Sequence, residues 1–195
     1  MKKTLAAIAL LATAGLALTA CGEDPDDDAT GDTNSAHNQA DVTFAQQMIP
    51  HHEQAIEMAQ MAQGRASSDE VQELAETIEA AQGPEIDTLQ GWLETWGEEG
   101  SSGDMGGMDH GDIGDDSGDM AGMMDEDEMN DLMAASGLDW DRMFLEMMIE
   151  HHEGAVEMAQ VEVDEGQNTD AVALATKIIS DQQAEIAEMR RLLEL

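Results

Sequence analysis

The chain has 195 residues, with 44 Asp plus Glu against 7 Lys plus Arg, for a formal charge of −37. With so few cations it will not bind nucleic acid through the phosphates, and it will not dock on an anionic membrane by electrostatics. Sixteen Met, two Phe, three Trp and no Tyr leave the core to Met, Ala, Leu and Ile, residues that favour helices over strands.

Residues 1–20 read as a secretory signal. Lys2 and Lys3 precede an apolar run from Leu5 to Ala20 that is too short for a comfortable transmembrane helix. The run ends in Leu18-Thr19-Ala20-Cys21, which resembles a bacterial lipoprotein signal, with Cys21 lipidated as the new N-terminus. This accounts for a single Cys without a disulfide partner. It predicts an extracytoplasmic protein anchored to the bacterial cell membrane through the lipid on Cys21 alone. Residues 21–40 are acidic, small and polar and read as a disordered tether, with His37 incidental.

Residues 41–97 read as a helical hairpin. Asp41 is the expected N-cap, and Phe44, Met48, Ala55, Ala59 and Ala62 follow at helix period. A turn at 64–68 leads to Ser68, which opens a second helix with Leu74, Ile78 and Ala81 as its stripe. Gly83-Pro84 is expected to kink or split that helix. Residues 98–124 are too rich in Gly and Asp to fold alone. Residues 125–195 begin with a short helix opened by an Asp125–Glu128 capping box and ending near Gly137. A second hairpin follows, started by Asp139 or Asp141. Its turn lies at 164–168, Thr169 opens the last helix, and Leu174, Ile178 and Ile186 form the stripe.

The second hairpin repeats the first. Phe44 to Gln60 returns as Phe144 to Gln160, and the ungapped register continues through Leu74/Leu174, Ile78/Ile178, Gln82/Gln182, Glu85/Glu185 and Leu93/Leu193. Such a period marks a duplicated unit. Two hairpins with apolar faces bury each other most simply as a four-helix bundle, so 41–195 is predicted to be one all-α domain.

The chemistry lies in His and Met. On a helical wheel His52 falls within the apolar stripe, four residues after Met48, and His51 at its edge, three after Met48 and seven before Met58. Met148, His151, His152 and Met158 repeat the arrangement, while Glu53, Glu57, Glu153 and Glu157 face outward. Imidazole suits copper, zinc, nickel and iron, and soft thioether narrows the choice towards Cu(I), with another transition metal as the alternative. The middle segment carries Met105, Met108, His110, Met120, Met123 and Met124. Core packing does not explain Met in so hydrophilic a run, and spaced Met with one His can wrap a copper ion. A structural alternative stays open: the His pairs bond to each other, to Gln82 and Gln182, or to water, and Met fills gaps.

The doubled Met-Ile-x-His-His-Glu-x-Ala-(Ile/Val)-Glu-Met-Ala motif and the Ala-Gln-Gly-Pro-Glu-Ile segment resemble the domain-of-unknown-function 305 family over residues 41 to 195. The resemblance implies a secreted or lipid-anchored protein with a ferritin-like helical fold. It also implies copper binding through Met48, His51, His52, Met148, His151 and His152. A ferritin-like di-iron centre fits poorly, because Met48 and Met148 stand where the Glu-x-x-His motif needs Glu.

These readings converge on an extracytoplasmic, lipid-anchored copper-binding protein that buffers or sequesters the metal. No nucleophile–base arrangement marks an enzyme, and no protein partner is identified. The rivals are a metal-dependent oxidoreductase of ferritin-like fold, using Glu53, Glu57, Glu153 or Glu157, and a metal-free structural or partner-binding bundle.

Overall fold

The computed structural model describes residues 36–98 and 120–194. The signal segment, Cys21, Met105, Met108 and His110 lie outside the described residues.

Among the described residues the structure is all-α, with α1 (Gln39–Gln60), α2 (Asp69–Trp96), α3 (Glu126–Ala134), α4 (Leu138–Glu165) and α5 (Thr169–Leu193). The helices α1–α2 and α4–α5 are the two hairpins, and α3 is the short helix between them. The expected bundle of duplicated hairpins is therefore the architecture found. Helices α1 and α4 pack together and run antiparallel. Asn38, at the start of α1, donates from Nδ2 to the Glu165 carbonyl at the end of α4 (2.8 Å), and His51 and His151 meet midway. Among the described residues no helix is long and apolar enough to cross a membrane.

The helix starts correct two expectations. Asn38, not Asp41, caps α1, accepting from the Ala40 and Asp41 N–H groups, while Asp41 closes a capping box by accepting from the Asn38 N–H. Gly137 precedes α4 without any side-chain cap. Asp41 and Asp141 instead each bind the loop that opens the last helix of the opposite hairpin. Asp141 accepts from the Ser67 N–H (2.9 Å), the Ser67 hydroxyl and the Ser68 N–H (3.0 Å). Asp41 accepts from the N–H groups of Asn168 (2.8 Å) and Gln167 (3.1 Å). These clamps tie the two repeats together. Ser68 caps α2 as expected, and α5 begins at Thr169 as expected, with Asn168 as its cap. The Asp125–Glu128 capping box opens α3.

Helix α2 runs unbroken through Pro84, and α1 through Pro50. Each Pro removes one backbone bond, a loss that packing of a long amphipathic helix outweighs. His37 is not incidental: its ring stacks on Trp96 with centroids 4.7 Å apart.

Two apolar clusters fill the bundle. One joins Ala55, Met58, Leu74, Ile78, Met148, Ile186 and Met189. The other joins Phe44, Met48, Leu89, Leu93, Ala155 and Ile178. Between them along each long helix lies a polar stretch: His51 and His52 on α1, Gln82 and Glu85 on α2, His151 and His152 on α4, and Gln182 on α5, all buried. The core is thus two apolar halves separated by a polar layer.

Candidate metal centre

All four paired His side chains are fully buried. The His51 and His151 rings face each other across the repeat with centroids 3.8 Å apart, and His151 lies 6.3 Å from His152. Three of the four give their Nε2–H to an oxygen that can only accept. His51 donates to the Ala121 carbonyl (3.1 Å), His52 to Glu85 Oε2 (2.9 Å) and His152 to Glu185 Oε2 (2.7 Å). Neither nitrogen of His151 reaches a hydrogen-bond partner, and Nδ1 is unpartnered in all four rings.

Burial makes protonation costly here. It pushes His51 down from 6.5 to about 3, with the neighbouring His52 adding to the effect and the Ala121 carbonyl opposing it. Burial also lowers His151 well below its ordinary value, aided by His51. His52 is lowered by burial as well, although Glu85 pulls it back up. These three rings are neutral at pH 7. With Nε2–H committed in His51 and His52, the Nδ1 lone pair is the free donor. Glu85 and Glu185 stand in the position of carboxylates that orient a metal-ligating His from behind.

A short strap explains the burial of His51, expected at the edge of the stripe. Residues 121–124 lie over it. Gln54 holds the strap by donating from Nε2 to the Met124 carbonyl (2.8 Å) and accepting the Met124 N–H (2.8 Å). Gly154, the repeat counterpart of Gln54, makes room for it, since any Cβ there would overlap the Ala121 carbonyl. Gly122 adopts φ 78° against the carbonyls of Glu150 and His151. Met124 is buried in the core, which corrects the expectation that core packing explains none of the middle-segment Met.

The remaining candidates fall as follows. Met48, Met58 and Met148 are fully buried, and Met158 is partly buried against the second cluster. Met58 and Met148 border one side of the polar layer, and Met48 and Met158 the other. Gln82 and Gln182 are buried with both amide atoms unpartnered, so neither is the His partner that the structural alternative offered. Glu53, Glu57, Glu153 and Glu157 are exposed, and Glu153 pairs with Arg190. Among the described residues no group of three or more His, Cys, Asp or Glu is placed to hold a metal ion. Neutral imidazole together with buried thioether is a soft donor set suited to Cu(I).

Sequence reasoning passed over Glu85 and Glu185 as partners of His52 and His152. Their signal was their place in the repeat register, three residues after Gln82 and Gln182 on one helix face.

The family described as Domain of unknown function (DUF305) matches residues 41–193. No curated protein matches the chain significantly. Among solved structures, a Streptomyces coelicolor DUF305 protein inferred to be secreted is 31% identical, with a TM-score of 0.69, over 80% of this chain and 92% of that one. A DUF305 fragment from Deinococcus radiodurans is 29% identical, with a TM-score of 0.69, over 80% of this chain and 97% of that one. CopM in its Cu(II)-bound form is 32% identical, with a TM-score of 0.64, over 79% of this chain and 95% of that one. The match over residues 41–193, carried on the same all-α framework, places the chain in the DUF305 family.

Proposed function

We propose that this protein binds copper, Cu(I) in preference to Cu(II), through the buried His and Met of its bundle, and buffers or sequesters the metal outside the cytoplasm. The observation that carries the reading is the set of four buried imidazoles whose Nδ1 atoms have no partner. A buried polar atom without a partner costs about 1–3 kcal/mol, and a metal ion bound at Nδ1 would offset that cost. The proposed ligands are Met48, His51, His52, Met58, Met148, His151, His152 and Met158. The similarity to CopM, known in Cu(I)-, Cu(II)- and Ag-bound forms, supports the metal class.

Met105, Met108 and His110 form a second capture segment in this proposal, and the lipid on Cys21 holds the protein at the membrane surface. The strongly acidic chain raises the local cation concentration, while the softer His and Met donors retain copper. Anaerobic Cu(I) titration of the mature chain tests the reading. Replacing His51, His52, His151 and His152 by Ala should abolish the bundle site with helix content retained by circular dichroism. Deleting 101–119 should lower the stoichiometry and leave the bundle site. Undiminished copper binding by the quadruple variant contradicts the proposal.

A further inference from the structure

The duplicated centre is not symmetric in its outer contacts. Glu85 and Glu185 occupy equivalent repeat positions and accept from His52 and His152 respectively. Glu85 also binds Lys177, whose Nζ lies 2.9 Å from Oε1. The repeat counterpart of Lys177 is Thr77, whose hydroxyl is turned back onto the Glu73 carbonyl of its own helix. Among the described residues no lysine or arginine is paired with Glu185.

A carboxylate that accepts from one ring nitrogen makes the other nitrogen a stronger metal donor. A lysine drawing on the same carboxylate weakens that effect and adds a positive charge behind the ring of that half. Both consequences act on the His52 half and neither on the His152 half. Lys177 is also tied to Asp181 (2.7 Å), so its ammonium is held in place over Glu85 rather than free to swing away.

We infer that Lys177 is a positioning residue that makes the two halves of the centre unequal, the His152 half binding copper more tightly than the His52 half. The inference rests on the copper-binding reading above and deepens it from one site class to two graded affinities. A protein with two such halves fills the His152 side first and retains capacity on the His52 side, so it buffers over a wider range of free copper than two identical sites would.

The test isolates the halves. His152→Ala leaves the His52 half and His52→Ala leaves the His152 half, and Cu(I) affinity is read anaerobically against a chromophoric Cu(I) chelator. The His52 half should be weaker by about fivefold, the scale of a partly exposed ion pair acting through an outer carboxylate. Lys177→Thr, which installs the repeat counterpart, should tighten the His152→Ala chain by about the same factor and leave the His52→Ala chain unchanged. Lys177→Arg should preserve the inequality. A Lys177→Thr effect on both halves, or on neither, overturns the inference. Long-range 1H–15N NMR of the copper-free chain gives a second reading: Lys177→Thr should move the His52 ring signals and leave those of His152 in place. Unmoved His52 signals overturn the inference even if no copper binds, whereas moved His52 signals with no copper bound to either chain defeat the copper reading and the graded affinities with it, and leave Lys177 only as a residue that positions His52 through Glu85.

Discussion

Buried charge and buried hydrogen-bonding groups set the behaviour of single residues in this bundle. Beside the Asp41 clamp lies Glu162, 1% exposed. Burial, with Asp41 next to it, raises the Glu162 carboxyl from 4.5 to about 8. Burial acts on Asp41 too, but the N–H groups of Asn38, Asn168 and Gln167 and the acid proton of Glu162 outweigh it and hold Asp41 below its ordinary value. Between pH 4.5 and about 8 the native state keeps the Glu162 proton and the unfolded chain does not. Stability therefore falls as pH rises across that window, by up to a few kcal/mol. Glu162→Gln keeps a hydrogen-bond donor without a titration, so urea unfolding from pH 5 to 9 should lose that slope and the variant should be the more stable chain at pH 8. At the equivalent clamp, Ala62 stands in place of Glu162, so Asp141 has no second buried acid at that position. Asp141→Ala removes three acceptor contacts from the Ser67–Ser68 loop and should cost about 2 kcal/mol in chemical denaturation; a loss below a few tenths would show that the clamp is replaced by water.

At the scale of elements, the strap of residues 121–124 separates what was readable from what was not. Helix period, the repeat and the Asp125–Glu128 box placed every helix to within a few residues. The repeat also brought His51 against its copy His151, whereas Met48 and Met148 lie in the two opposite apolar halves. Three things were hidden. Asp41 and Asp141 have cap residue types, but their tertiary partners lie on the opposite hairpin, which local sequence does not encode. The Pro84 break did not form, because helix packing overrides local propensity. Gln54 and Gly154 fill one repeat position with different residues because one grips the strap and the other yields to it. Gly154→Ala should displace the strap at about 1–3 kcal/mol. Hydrogen exchange at the Met124 amide, slow in the parent through its bond to Gln54, should accelerate in the variant. Unchanged exchange would show that the strap relaxes around the new methyl.

Over the whole molecule, the charge of −37 lies mainly on surfaces and outside the described helices, where it keeps a Met-rich bundle soluble. The interior carries the functional signal. Two apolar halves enclose a layer of His, Gln and Glu that a purely structural core would fill with hydrocarbon, since unpaired buried polar groups are destabilising. That layer is the reason to assign the bundle a soft-metal cargo, and its claim is specific to one ring atom. Long-range 1H–15N NMR of the chain before and after one equivalent of Cu(I), added anaerobically, addresses that atom directly. Copper held at Nδ1 is expected to give large shifts at that atom of the buried His, with the Nε2–H groups of His52 and His152 retained on Glu85 and Glu185. Binding through Nε2, or Cu(I) uptake with all four buried rings unmoved, would contradict it.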